Sequence, residues 1–320
     1  MKVVITGGAG YVGTELIRML SHDNTISEIV IYDNLSRKNY NLFLSEKMIG
    51  GHISFVYGDI LDSRKLKETI ANADVVYHLA AKVSTPFANE DPHLFEQVNH
   101  WGTAELSYAL EESRVKTLIY LSSISVYGAR QEQVNEDTIP NPKTYYGISK
   151  LNGEKMISRL GDKINTYILR CGNVYGYSKS MRFDAVVNKF MFEAHFNKKI
   201  SIQGSGKQQR AFIHIARVST VLAGIIHYEG IKSGTYNLVD RNLSVIELAN
   251  TIKSLYPDLE MIFVQQDLSL KNVIVDTETK LSTDCLSSTK TKLLEDLQAF
   301  KSHFSFIPGS MQEVQENTMI

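Results

Sequence analysis

Tyr146 and Lys150 stand four residues apart in Tyr146-Gly-Ile-Ser-Lys150. On a helix those positions share a face, so a phenol and an ammonium point the same way. A cation beside a phenol favours its phenolate and lowers its pKa. The pair can therefore act as a general base, taking a proton from an alcohol or sugar hydroxyl near neutral pH. Upstream, Ser122, Ser123 and Ser125 follow an apolar run and precede Val126-Tyr127-Gly128. A hydroxyl at a strand's carboxyl end sits where ligands bind in open α/β sheets. Pleat alternation alone does not choose among the three serines. Tyr-x-x-x-Lys by itself also describes an ordinary exposed helix face. What lends it weight is the chain in front of it.

That chain begins with a glycine-rich turn, Gly7-Gly-Ala-Gly10-Tyr11-Val12-Gly13. The turn lies between the apolar run Val3-Val4-Ile5 and a helical pattern. A strand, a tight glycine turn and a helix start suit a dinucleotide pyrophosphate. The backbone can approach the phosphates without a Cβ, and the helix N-terminus offers free N–H groups. Ile29-Val30-Ile31-Tyr32 reads as a second strand ending at Asp33, followed by Asn34. An acid at that offset hydrogen-bonds both ribose hydroxyls and repels a 2′-phosphate, which favours NAD over NADP. Arg37 nearby keeps the 2′-phosphate form open. A bound nicotinamide ring would add positive charge beside Tyr146.

The 320 residues are 43% apolar with a net charge of −1. This suits one large folded unit or two intimately packed ones. It gives no electrostatic footprint for nucleic acid or a membrane surface. No apolar window reaches the length of a membrane span, and the chain opens directly in a strand, so a cytoplasmic enzyme without a signal peptide is expected. Cys171 and Cys285 offer neither a metal spacing nor a disulfide framework. Both read as small packing residues.

Expected strands are 2–6, 28–33, 53–57, 75–78, 117–121 and 166–170. Helical stretches are expected at 12–21, 42–48, 63–70, 92–112 and 145–160. The alternation predicts an α/β, Rossmann-type, doubly wound parallel sheet over residues 1–172. Beyond residue 172 the rhythm changes. A helix at 184–197, short strands at 200–203 and 235–238, and a helix at 245–255 predict a smaller substrate-binding lobe over 173–320, with some segments returning to the sheet. Residues 290–295 and the tail after Pro308 read as polar, surface-bound or frayed.

These motifs together resemble the extended short-chain dehydrogenases/reductases, the NAD-dependent epimerase/dehydratase family of nucleotide-sugar enzymes. The resemblance covers residues 1 to about 255. It implies that Gly7, Gly10 and Gly13, with Tyr11 and Val12 between them, bind the pyrophosphate. Asp33 matches the family's acid, and Asp59 and Ile60 its motif near the adenine. Leu79, Ala80 and Ala81 match a strand end that passes the cofactor, and Asn99 matches an Asn on the following helix. Counting four back from Tyr127 makes Ser123 the catalytic hydroxyl beside Tyr146 and Lys150, with Lys150 also holding the nicotinamide ribose. Asn173 and Arg210 match residues expected at the sugar diphosphate. Ser84 is a candidate for a sugar hydroxyl. The resemblance also implies a homodimer paired through the helices at 92–112 and 145–160.

Several positions depart from the family pattern. Ala211 replaces an Asp after Arg210, and Arg217 stands where another Asp is common, so extra positive charge is expected near the nucleotide. Lys271 is a loose substitute for a missing nucleotide-binding Arg. Family 4,6-dehydratases carry an Asp-Glu pair after the catalytic hydroxyl, where this chain has Ile124 and Ser125. Two-carboxylate elimination thus lacks its groups there. Reversible hydride transfer remains, favouring a 4-epimerase. A ketosugar reductase, a dehydratase and a non-catalytic nucleotide binder are the alternatives.

Overall fold

The computed structural model describes residues 1–44, 52–83, 92–228, 230–265, 272–278, 280–281 and 291–306. Its main sheet holds β1 (Lys2–Thr6), β2 (Glu28–Asp33), β3 (His52–Tyr57), β4 (Val75–His78), β5 (Thr117–Ser123), β6 (Asn165–Cys171) and β10 (Gly234–Leu238). The order is β3-β2-β1-β4-β5-β6-β10, and every pairing is parallel. Chain direction across the sheet reverses at β1. A crevice therefore opens between the carboxyl ends of β1 and β4.

The strands are apolar on both faces because helices cover both. On one face Val3, Ile5 and Ile29 pack with Leu16 and Ile17 of α1 (Tyr11–Leu20) and Val221 and Leu222 of α7 (Ile215–Gly224). On the other, Val4, Val76, Leu118 and Tyr120 pack with α2 (Ser63–Ile70), α4 (Gly102–Glu111) and α5 (Tyr145–Ser158) through Leu66, Leu106, Leu110 and Ile157. The expected helix at 92–112 is a short helix, α3 (Pro92–Phe95), a π-helical stretch (Glu96–Trp101), then α4. The expected helix at 42–48 is not found among the described residues, where only a 3₁₀ turn at Asn41–Phe43 occurs.

The second lobe is built on β7 (Asn173–Tyr175), β9 (Gln209–His214) and β11 (Arg241–Ser244), with β8 (Lys199–Gln203) pairing β12 (Glu260–Val264). Around them lie α6 (Val186–Phe196), α8 (Val245–Leu255) and α9 (Leu293–Ser302), sharing a core of Phe190, Met191, Phe212, Leu248, Leu297 and Phe300. Two segments after residue 172 belong to the main sheet instead: β10 extends it beside β6, and α7 packs on α1. The stretch 290–295, read as surface-bound or frayed, is surface-bound over its described residues 291–295. Leu293 opens α9, and the buried Asp296 accepts hydrogen bonds from Tyr175 Oη at 2.5 Å and from Arg241 Nη2 at 3.3 Å. Among the described residues no helix is long and apolar enough to cross a membrane. The tail after Pro308 lies outside the described residues, as do Cys285 and Lys271.

Candidate active site

The crevice opens into a cleft of about 1020 Å³ that runs from the glycine turn to the second lobe. At one end Gly7 adopts φ +72°, and a Cβ there would meet the Ala80 nitrogen at 2.5 Å. A Cβ on Gly13 would meet the Gly8 carbonyl oxygen at 2.5 Å. Side chains at these positions would drive the β1 turn away from both the β4 exit and α1. Helix α1 starts at Gly10 with no side-chain cap and no acidic residue in its first turn. Its N–H groups and positive dipole end therefore stay available to an anion. Leu79, Ala80, Ala81, Ile60, Tyr11, Val12, Asn34 and Asp33 line the same end. Asp33 accepts N–H bonds from Ala9 at 3.0 Å and Leu35 at 2.8 Å. Burial nonetheless raises its carboxyl above the ordinary range, against those two bonds. The cradle fits a dinucleotide, with a pyrophosphate at the α1 terminus and a ribose at Asp33.

Two expected cofactor residues do not line the cleft. Asp59 accepts from Asn34 Nδ2 at 2.8 Å and from the Leu61 nitrogen at 2.9 Å, so it braces Asn34. Asn99 is buried; its amide accepts from the Lys82 nitrogen at 2.8 Å and donates to the Lys82 carbonyl at 2.9 Å and to Ser149 Oγ at 3.0 Å. It clamps the chain leaving β4 onto α5. Both act one layer behind the wall. Ser84 lies outside the described residues.

At the middle of the cleft, β5 delivers Ser123 and α5 delivers Tyr146 and Lys150. Thr144 caps α5, its Oγ1 accepting from the Gly147 nitrogen at 3.1 Å. Ser123 caps the following 3₁₀ turn (Ile124–Tyr127), its Oγ accepting from the Ser125 nitrogen at 3.2 Å. Ser123 Oγ donates to Ser125 Oγ at 3.1 Å, and Ser123 lies near enough to Tyr146 to favour its phenolate. Ser122 points elsewhere, donating to Glu154 Oε1 at 2.5 Å, which removes one of the three serines that pleat counting left open; Ser125 remains beside Ser123 on the cleft wall.

The electrostatics differ from the expectation in one respect. Tyr146 keeps part of its surface open to the cleft yet lies deep beneath the protein surface. Burial raises its phenol, while the nearby Ser123 hydroxyl and the Arg182 charge pull it down. Among this chain's own groups the phenol is therefore not depressed: burial outweighs both. Lys150 is itself shifted. Lys150 is 2% exposed, and burial pulls its ammonium down to about 7 against the attraction of Glu154. Its Nζ sits 4.2 Å over the Tyr120 ring.

Toward the second lobe the wall includes Asn173, Arg210, Gln208 and Phe212. Asn173 Nδ2 donates to the Ala211 carbonyl at 2.9 Å, and Arg210 Nη1 donates to the Gln209 carbonyl at 2.9 Å. Arg217 does not add charge to the cleft: it is buried off the wall in an ion pair with Asp240 at 2.7 Å. Sequence reasoning gave no site role to Arg182, Asp184 or Thr14, which hold this part of the cleft together with Arg37 and Tyr11. Asp184 bridges Arg182 and Arg37, at 3.1 Å to each, and all three line the wall. Tyr11 Oη donates to the Gly176 carbonyl at 2.6 Å, and Thr14 Oγ1 donates to Ser180 Oγ at 2.7 Å. The glycine turn is thereby tied to the second lobe. No local motif signals contacts across more than 140 positions.

Residues 3–238 match the model of the NAD dependent epimerase/dehydratase family. Over 261 residues the chain is 30% identical to dTDP-D-glucose 4,6-dehydratase from Homo sapiens, covering 78% of this chain and 73% of that one. It is equally 30% identical to a putative UDP-glucose 4-epimerase from Methanocaldococcus jannaschii, covering 78% and 81%. Its fold superposes on UDP-glucuronic acid 4-epimerase from Bacillus cereus, in complex with UDP-glucuronic acid and NAD, with a TM-score of 0.82 at 24% identity, over 94% and 98% of the two chains.

Proposed function

This chain belongs to the NAD dependent epimerase/dehydratase family, and within that family we propose that it is a nucleotide-sugar epimerase acting at C4. The observation that carries this reading is that, among the described residues, no carboxylate faces the cleft beside Ser123 and Tyr146. Ile124 and Ser125 follow Ser123, and among the described residues the only carboxylates lining the cleft are Asp33 and Asp184. Asp33 belongs to the ribose end and Asp184 is engaged by Arg37 and Arg182. Eliminating water from a sugar needs an acid for the leaving hydroxyl and a base for the C5 proton. Epimerisation at C4 needs one proton-transfer group and a reversible hydride acceptor.

NAD, held by Gly7, Gly10, Gly13, Asp33 and Lys150, supplies that acceptor when bound. The residues do the rest. Ser123 donates a hydrogen bond to the C4 oxygen and holds it against Tyr146. Tyr146 takes the hydroxyl proton as C4 is oxidised. Lys150 keeps positive charge beside the phenol. Arg210 and Asn173 grip the diphosphate while the 4-keto sugar turns over. Tyr146 then returns the proton to the inverted alcohol. Trp101, Tyr108 and Ile148, exposed on the Glu96–Trp101 stretch, α4 and α5, support a homodimer joined along those helices.

The test is to incubate the purified protein with UDP-, GDP-, dTDP- and CDP-sugars without added cofactor. An epimer of unchanged mass is expected. Product that has lost water, or conversion only with net consumption of NADH or NADPH, overturns the reading.

A further inference from the structure

Helix α5 carries a third ionisable group on the face that presents Tyr146 and Lys150. Glu154 lies one turn beyond Lys150 and is 5% exposed. Two strands bind its carboxylate. Arg170, on β6, grips it with Nη2 to Oε2 at 2.7 Å and Nε to Oε1 at 3.0 Å. Ser122, on β5, donates to Oε1 at 2.5 Å. Lys150 approaches from its own helix at i and i+4 spacing. An isolated buried carboxylate would be costly; here the anion is held by Arg170 and a hydroxyl, with the Lys150 charge on the same helix face.

The groups around Lys150 make that sharing consequential. From β5 it meets the Tyr120 ring, and from β4 His78, which burial and the Lys150 charge lower to about 3 and so keep neutral. From β6 comes Arg170, already committed to Glu154. In the Glu96–Trp101 stretch Glu96 and His100 pair with each other, and on α4 Glu111 pairs with Arg159 while Glu105 stays partly exposed. Tyr127, after β5, gives its hydroxyl to Asn237 at 2.7 Å. Glu154 is thus the carboxylate whose attraction opposes burial at Lys150.

We propose that Glu154 is the positioning residue that keeps Lys150 cationic over the Tyr120 ring, with Ser122 and Arg170 fixing the carboxylate in place. The proposal rests on Lys150 serving the reaction, and the experiment separates the two. Full-length protein saturated with NAD is labelled with [ε-¹³C]lysine and titrated by NMR, Lys150 being assigned by the signal that Lys150→Met removes. In Glu154→Gln the Lys150 midpoint should fall by about one pH unit or more, the scale of a lost neighbouring charge. In Glu154→Asp, which keeps the charge, it should stay near the parent value. Arg170→Met removes the cation that competes for the same carboxylate, so it should raise the Lys150 midpoint, and it keeps the test open if Glu154→Gln does not fold. A midpoint that moves neither in Glu154→Gln nor in Arg170→Met overturns the proposal. The alkaline limb of turnover should follow the midpoint. A limb that stays put while the midpoint moves counts against Lys150's part in the reaction and leaves Glu154's hold on it standing.

Discussion

Gly147 lies so close beneath the turn after β5 that a Cβ on it would meet the Ser125 carbonyl oxygen at 2.6 Å. This is what lets the first turn of α5 press against the segment carrying Ser123, and so lets Tyr146 reach the Ser123 hydroxyl. The obstructing atom is backbone, so it cannot rotate away. Gly147→Ala should push the helix start back by a fraction of an ångström to an ångström. Misplacement on that scale costs about 10²-fold in rate. Turnover should fall by about that factor while NAD affinity, set at the glycine turn, stays within about twofold. A matching loss of NAD affinity would mean that Gly147 supports the whole cleft.

Tyr146→Phe removes the proton acceptor and leaves the ring, its edge-to-face contact with Phe95 at 6.0 Å, and the fold. Turnover should drop by about 10²- to 10⁴-fold, the usual contribution of a positioned general base. Nucleotide-sugar binding measured by calorimetry should persist. Activity within a few-fold of the parent would remove Tyr146 from the mechanism.

Lys150 couples the reaction to stability. Its folded-state pKa, about 7, lies below the ordinary lysine value of 10.5. Between those values the unfolded chain binds a proton that the folded chain does not, so folding stability rises with pH across that window. Below pH 7 the penalty for burying the charge is fully present. Lys150→Met should therefore be more stable than the parent at pH 6, by several kcal/mol at most, and inactive. Denaturant titrations at pH 6 and pH 9 should show the advantage shrinking as pH rises. An advantage independent of pH would mean that Lys150 is not a charged group under strain in the folded protein.

The parts of this site that sequence made visible are those set by local backbone rules. Gly7 and Gly13 announce a turn no Cβ can enter, Asp33 ends a strand, and Tyr146 and Lys150 share a face because of the helical repeat. Long-range contact decides the rest. Choosing Ser123 over Ser122 depends on which side of β5 the helix α5 covers. Asp59 and Asn99 sit near the cofactor in chain order, yet their side chains turn to Asn34 and to the Lys82 backbone. Arg182 and Asp184 lie just before and at the start of the stretch read as a helix from 184, where nothing marks them as site residues, and their role depends on Arg37 arriving from 147 residues away. Helix α9 went unread because its polar start gives no sign of Asp296, which is buried against Tyr175 and Arg241.

Asp33 should set cofactor choice. Both of its oxygens already accept backbone N–H bonds, which fixes the carboxylate facing the ribose end, and Arg37 lines the cleft beside it. Asp33→Asn keeps the size while removing the charge that repels a 2′-phosphate. NAD affinity should fall by about tenfold, the worth of a hydrogen bond to a charged group, and NADP affinity should rise. Fluorescence titration with both dinucleotides measures the ratio. A ratio still as strongly in favour of NAD as in the parent would place the discrimination elsewhere.

Tyr11 should govern how tightly the cofactor is kept. Its hydroxyl donates to the Gly176 carbonyl and accepts from Asn188 Nδ2 at 3.2 Å, joining the glycine turn to the second lobe. Burial raises that phenol far above its ordinary range, so it stays a donor at every working pH. Tyr11→Phe leaves a buried carbonyl and a buried amide without this partner, a loss of about 1–3 kcal/mol. The second lobe is then held over the cofactor by fewer bonds, among them Thr14 to Ser180. NAD dissociation, followed by dilution into excess labelled NAD, should speed up by roughly tenfold or more on the same energy scale, with substrate KM little changed at saturating NAD. An unchanged dissociation rate would mean that the lobes stay together without this hydroxyl and that cofactor retention is set within the glycine turn itself.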